Sequence, residues 1–447
     1  MADITELIAT VRAEVVQRRE QGNDVAAIEE RLNRLLGGET TSDTEARLSA
    51  ILQELEALPP VASGYVEPST IEEIQLLRPD GPRRMATVAV DAALLDRIHG
   101  AWLGRVAGCA LGKPVEGWPK ERIDSYLAFA GALPLDDFIP LAEGHPDGIR
   151  PLPFLDECTR GRISYMARDD DMDYPVLGLH VLESHGPDFT SGNLANTWLS
   201  RLAYYTVYTA ERVAYRNLVN GMSPPQSASH RNPYREWIGA QIRADIWGWV
   251  SPGRPERAAE FAFRDAAISH TGNGIYGEMM VAAMMAAAAV TADVDEIVRV
   301  GLSEIPADCR LAEAVHDAAG WCRQSDDWEQ VWSRINEKHG HYHTVHTINN
   351  AALVVMALLL GRGDFERTVV LAVRGGWDTD CNGATAGSLL GMIIGAAALP
   401  ERWVGVFNDR LMTAVRGHEE CRLSDLARRT HQVAARVLAD GGPADAD

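Results

Sequence analysis

The chain has 447 residues, a formal net charge of -21, 46% hydrophobic residues and 23% charged ones. Such a chain can bury a sizeable core, and its negative charge argues against nucleic acid or an anionic membrane as the main partner. The six cysteines stand far apart with no Cys-x-x-Cys spacing; that pattern, together with an amino terminus lacking a basic and apolar leader, points to reduced thiols in a cytoplasmic protein.

Residues 1–60 are expected to form a separate amphipathic helical extension. Apolar residues recur there at three- and four-residue spacing (Ile4, Leu7, Ile8, Val11, Val15; Ile28, Leu32, Leu35, Leu36; Ile51, Leu52, Leu55), with breaks at "QGND" and "GGETTSD". This extension holds no acid/base constellation; it suits a docking or cover element, or a homo-oligomer contact. Residues 61–90, rich in Pro, Gly and Ser, are expected to be a linker. From residue 91 to 440 the pattern is helical almost throughout, with no sustained period-two alternation, so the fold class is all-α. The uncharged run from Cys381 to Pro400 contains Asn, Ser, Thr and Gly and follows two aspartates, which favours a buried helix over a membrane span.

Gly100, Gly104, Gly108 and Gly112 fall at every fourth position, as do Gly383, Gly387, Gly391 and Gly395. Glycine inside a helix costs about 1 kcal/mol relative to alanine, so two such stripes need a compensating close approach of helices. Each stripe adjoins acids. Antiparallel pairing of the two helices would bring Glu116, after the first stripe, to Asp378 and Asp380, before the second. A second acidic run, "RDDDMDY", holds Asp169, Asp170, Asp171 and Asp173 before an apolar helix. One such acid serves as a cap, whereas four crowded together repel one another unless a cation offsets them. A solvated acidic turn and an oxygen-ligand site for Mg2+, Mn2+ or Ca2+ both stand as readings of this segment.

Four segments in order resemble the ADP-ribosylglycohydrolase family: "GAWLGRVAGCALGKPVE", "DDDMDY", "AISHTGNGIYGEMMVAAMMAAA" and "GGWDTDCNGATAGSLLG". The resemblance spans about residues 95 to 400. It implies an orthogonal helical bundle with a binuclear Mg2+ site, hydrolysing a bond to the anomeric carbon of an ADP-ribosyl group, on a small molecule or an ADP-ribosylated acceptor. By this resemblance Asp378 and Asp380 are metal ligands, Glu116 a metal or substrate residue, and Asp170 and Asp171 the aspartate pair of the middle motif, with Asp169 in a threonine position. Sliding that motif by one residue selects Asp169 and Asp170 instead. Cys381 stands where the family carries a metal-binding threonine, and a thiol is a poor ligand for Mg2+. Glu116, Asp171 and Asp378 are the candidates for acid/base work, and no one of them is singled out as the base.

Trp377, in a family glycine position, is suited to stack on a ring, and His270 and Asn273 in "SHTGNG" to a turn or a substrate contact. In "HGHYHTVHTINN", His341, His343 and His346 suit lining the cleft, His343 as a substrate contact, better than a zinc site. "NPYREWIGAQIRADIWGWVSPG" reads as aromatic packing with buried ion pairs, with Arg243 kept as a phosphate candidate. Two other functions compete with the glycohydrolase reading: a hydrolase of a small nucleoside-like N-glycoside, and a catalytically silent ADP-ribose-binding protein of the same fold.

Overall fold

The structure is a computed structural model that describes residues 4–38, 43–59, 61, 64–86, 88–149 and 157–439. The expected end of the main domain at residue 440 and the acidic tail beyond it lie outside the described residues, as does residue 60 at the first expected boundary. The fold is all-α, as expected; the described residues add only a two-stranded antiparallel ribbon, Arg410–Met412 with Glu420–Arg422, which no alternation in the sequence announced. Among the described residues no helix is long and apolar enough to cross a membrane.

The two glycine helices, Ala92–Gly112 and Thr379–Ile394, form the axis on which the site is hung. Gly100 faces Gly391, Gly104 faces Gly387, Gly108 faces Gly383 and Gly112 faces Thr379, so the helices run antiparallel with backbones in contact. A Cβ at Gly104 or Gly108 would fall on the carbonyl of Gly387 or Gly383. This is the close approach that offsets the helical cost of glycine. Gly395 departs from the stripe. With φ of +81° it terminates the second helix, a conformation that glycine adopts without steric cost.

Around this pair pack the buried helices Asn273–Ala288 and Thr347–Gly361, whose alanine, methionine and leucine side chains supply much of the core. The stretch from Asn196 to Val219 does not form one helix. It breaks after Arg201, passes through a turn at Tyr204–Thr206 and resumes at Thr209–Val219.

Residues 4–20, 26–36 and 44–56 form three helices around an apolar core of their own, including Val11, Leu48 and Leu55. The first of these helices is tied to the rest of the chain by buried polar groups. Arg235 donates to Glu14 at 2.7 Å, Gln17 donates to Glu236 at 2.6 Å, and Arg310 donates both to Glu236 at 2.7 Å and to the Glu20 carbonyl at 3.1 Å. Within the Pro- and Gly-rich segment that follows, Ile71–Leu77 is a helix that buries Ile74 in the main core, and Glu67 accepts from Arg310 at 2.7 Å.

Candidate active site

The first glycine helix ends in a short turn, Lys113–Val115, that carries the chain to Glu116. The loop is pinned there by backbone bonds: Gly117 N–H donates to the Trp377 carbonyl at 3.0 Å, and Trp377 N–H donates to the Trp118 carbonyl at 3.2 Å. Asp378 follows directly and precedes the second glycine helix, its N–H donating to the side-chain oxygen of Asn350 at 3.2 Å. Antiparallel packing thus brings Glu116, Asp378 and Asp380 together, with ligand oxygens within 4.8 Å of one another. Asp378 and Asp380 are buried and Glu116 lies at the solvent-accessible mouth.

The third element is the helix Asp170–His185, capped by Asp169, whose Oδ1 accepts the Asp171 N–H at 2.9 Å. Asp169 and Asp171 join two further groups of closely spaced potential ligands, one with Cys109 and one in which Asp171 meets Asp380 and Cys381. Asp170 falls in none of the three groups and is half-buried.

The electrostatics follow from crowding. Asp380 first, and then burial, push the Glu116 carboxyl up to about 9 even at the mouth. Burial, reinforced by the Asp380 and Glu116 charges, pushes Asp378 well above the carboxylate range, and burial with Asp169 pushes Asp380 up to about 6. Asp170 and Asp171 are also raised by burial. Asp169 is the exception. Burial works to raise it too, but the Lys113 ammonium outweighs this and holds its carboxyl below the usual range.

Sequence reasoning did not single out Lys113 or Arg105. Lys113 Nζ pairs with Asp169 Oδ2. Arg105, fully buried, donates to the Asp171 carbonyl at 2.7 Å and to Asp171 Oδ1 at 2.9 Å, and pairs with Asp245 at 2.9 Å. Cys381 donates its thiol hydrogen to Asp171 Oδ2 at 3.2 Å. The available signal was that Lys113 is the sole charged residue between Arg105 and Glu116, at the end of a helix already assigned to the site.

Other candidates are placed elsewhere or used internally. Asn273 donates to Glu236 at 2.8 Å and accepts from Leu311 N–H at 3.0 Å, so its side chain is spent on joining helices. His270 is buried, with Nδ1 2.8 Å from Ser269 Oγ, and burial holds its pKa well down. The Trp377 ring is buried beside Trp332, with centroids 6.4 Å apart, and its backbone rather than an open ring face serves the site. Its φ of +65° is the left-handed conformation that glycine adopts without cost. His343 stacks on Trp237 at 4.2 Å and His346 caps the helix Thr347–Gly361, and no histidine enters a group of potential metal ligands among the described residues. Arg243, the phosphate candidate, is consumed by buried ion pairs to Glu211 and Asp265 at 2.6 and 3.0 Å.

An all-α fold that gathers carboxylates at paired helix ends defines a class, and the family comparison agrees with it. Residues 90–438 match the family model described as ADP-ribosylglycohydrolase, and the chain belongs to that family. Its members are typically hydrolases and generally depend on a metal. The chain is 24% identical over 350 residues to an uncharacterized protein of Archaeoglobus fulgidus, a match covering 77% of this chain and 98% of the relative. A solved structure described as an ADP-ribosylglycohydrolase-related protein complex aligns with a TM-score of 0.49 at 20% identity, over 76% of this chain and 99% of that one.

Proposed function

We propose that this protein is a metal-dependent glycoside hydrolase that cleaves an ADP-ribosyl or N-ribosyl bond. The observation that supports it most is the convergence of Glu116, Asp378 and Asp380, with the buried Asp380 Oδ1 left without a hydrogen-bond partner among the described residues. An all-oxygen set of this kind fits a hard divalent cation, Mg2+ first and Mn2+ or Ca2+ as substitutes, because an orphaned buried carboxylate oxygen is costly unless a positive charge meets it. Such a cation, when bound, orients ribose hydroxyls and lowers the pKa of a water.

The chain's own residues supply the rest. Glu116 at the mouth is reachable by solvent and, in the ionised form that a cation beside Asp378 and Asp380 would favour, accepts the proton of the attacking water as its oxygen bonds to the anomeric carbon. The bond to the leaving group breaks in the same reaction and the leaving group carries off the electron pair. The field of Asp378 and Asp380 favours the positive character that develops on the ribosyl ring. Asp171, held by Arg105 and Cys381, positions the helix Asp170–His185 against this group instead of touching the reacting atoms.

Calorimetric titration of metal-stripped protein with Mg2+, Mn2+ and Ca2+, with and without ADP-ribose, tests the proposal. Metal binding that is abolished in Asp378→Asn and tightened by ADP-ribose is the expected result. Metal binding indifferent to ADP-ribose redirects the substrate to a small N-glycoside, and the lack of metal binding overturns the metalloenzyme reading in favour of a silent fold.

A further inference from the structure

Three overlapping groups of side chains have the spacing to hold a cation, yet the protein treats them differently. In the group of Cys109, Asp169 and Asp171, every carboxylate oxygen is already occupied. Asp169 Oδ1 accepts the Asp171 N–H at 2.9 Å and Oδ2 is paired with Lys113. Asp171 Oδ1 accepts from Arg105 at 2.9 Å and Oδ2 from the Cys381 thiol at 3.2 Å. The group of Asp171, Asp380 and Cys381 shares the same Asp171, and its sulfur is turned toward Asp171 as a donor. The third group, Glu116, Asp378 and Asp380, contains no Lys or Arg ion pair among the described residues, and buried Asp380 Oδ1 has no partner.

Charge follows the same division. Lys113 and Arg105 are both buried, and a cation so placed persists only where anions compensate it. Asp169 and Asp171 are those anions, with Asp245 as the second partner of Arg105. An additional divalent ion against Asp169 and Asp171 would have to displace the ammonium or sit beside it, at a separation where like charges repel strongly in a low-dielectric interior. Among the described residues Glu116, Asp378 and Asp380 form no ion pair with Lys or Arg, and the Lys113 ammonium, paired with Asp169, acts on Glu116 and Asp380 only as a neighbouring charge.

We propose that this chain binds a single divalent cation, at Glu116, Asp378 and Asp380, and that the Lys113 ammonium is a tethered cation occupying the adjacent place against Asp169. Lys113 is thereby a positioning residue. It holds Asp169, the cap of the helix Asp170–His185, and it supplies fixed positive charge where a diffusible ion would come and go. Arg105 and Cys381 complete the arrangement by saturating Asp171. The inference rests on the metal-dependent reading above, and the test separates the two.

Mn2+ stoichiometry of the metal-stripped full chain, measured by elemental analysis and by electron paramagnetic resonance, is the experiment. The wild type is expected to take up one Mn2+ per chain, with the spectrum of an isolated ion. Asp169→Asn is expected to keep that stoichiometry with affinity lowered by no more than about 10–100-fold, the scale of an outer-shell effect. Lys113→Met is expected to admit a second Mn2+, visible as spin coupling between neighbouring ions, and Lys113→Arg to restore the single site. Two ions per wild-type chain would overturn the tethered cation while leaving the metal-dependent function intact. Loss of Mn2+ from Asp169→Asn would likewise overturn it, as would a folded Lys113→Met indistinguishable from wild type. The absence of Mn2+ from the wild type would overturn both readings. Should Lys113→Met fail to fold, the wild-type and Asp169→Asn measurements still decide.

Discussion

The glycine-helix pair and the amino-terminal bundle are both helices docked on helices, but opposite chemistries hold them. The pair meets through bare backbone, with Gly104 against Gly387 and Gly108 against Gly383, and it leaves no room for a side chain between. The bundle has an apolar core of its own and meets the rest of the chain through buried charge, Glu14 with Arg235 and Gln17 with Glu236, while Arg310 spans Glu236 and the Glu20 carbonyl. Backbone contact fixes distance sharply and has no titratable part. A buried polar contact is specific too, but it depends on every partner staying present and correctly charged. Accordingly the first arrangement carries the carboxylates that need exact spacing, and the second seats an accessory element.

The largest expected effect breaks the first arrangement. Gly108→Val places a branched side chain into the Gly383 carbonyl, and because backbone cannot yield as a flexible side chain does, the variant should fail to give soluble folded protein. Recovery of a cooperatively unfolding Gly108→Val protein would show that the helices separate more easily than their packing implies. Next in size, Arg310→Ala leaves Glu236 and Glu67 without their cation and should cost about 3–5 kcal/mol in chemical denaturation. Its sharper signature is a separate early transition for residues 4–56, since their own core remains; retention of a single wild-type transition would argue that the polar ties are dispensable.

A comparable but pH-dependent effect belongs to Glu20, which accepts from His343 N–H. Burial first, with the Glu236 charge adding to it, lifts this carboxyl from 4.5 to about 7, against the pull of the His343 N–H, Arg310 and Arg19. Below pH 4.5 both folded and unfolded chains hold the proton. Between there and pH 7 the unfolded chain releases it first, so stability falls as pH rises, by up to about 3 kcal/mol. Glu20→Gln should flatten that part of the stability profile, and an unchanged slope would reassign it to other groups. The smallest effect sharpens the electrostatic side of the site: in metal-stripped protein Asp378→Asn relieves the repulsion with Asp380 and Glu116 and should raise the melting temperature by roughly 1 °C, about 1 kcal/mol for a chain of this length. A lower melting temperature would mean that the carboxylates stabilise the empty cleft.

Much of the axis was readable. The four-residue glycine spacing implied close antiparallel helices, and that pairing does bring Glu116 to Asp378 and Asp380. Less of the surroundings was readable. Trp377 looked like a stacking platform, yet its backbone holds the Glu116 loop while its ring is buried. Asn273 stood open between a turn and a substrate contact, and the Arg243 segment read as buried ion pairs with Arg243 kept as a phosphate candidate; each side chain is satisfied by partners from distant helices. The helix Ile71–Leu77 escaped notice because a single buried Ile74, rather than a periodic stripe, anchors it.

Sequence alone determined most of the helices, the glycine seam and the acids at its mouth, because each is written in spacing along one segment. Tertiary structure alone decided which acids have partners. Lys113 and Asp169 lie 56 positions apart, and Cys381 and Asp171 lie 210 apart. Whether a carboxylate meets an ammonium, a thiol or nothing is settled over a few ångströms in the packed interior, where the loss of water makes each such meeting decisive.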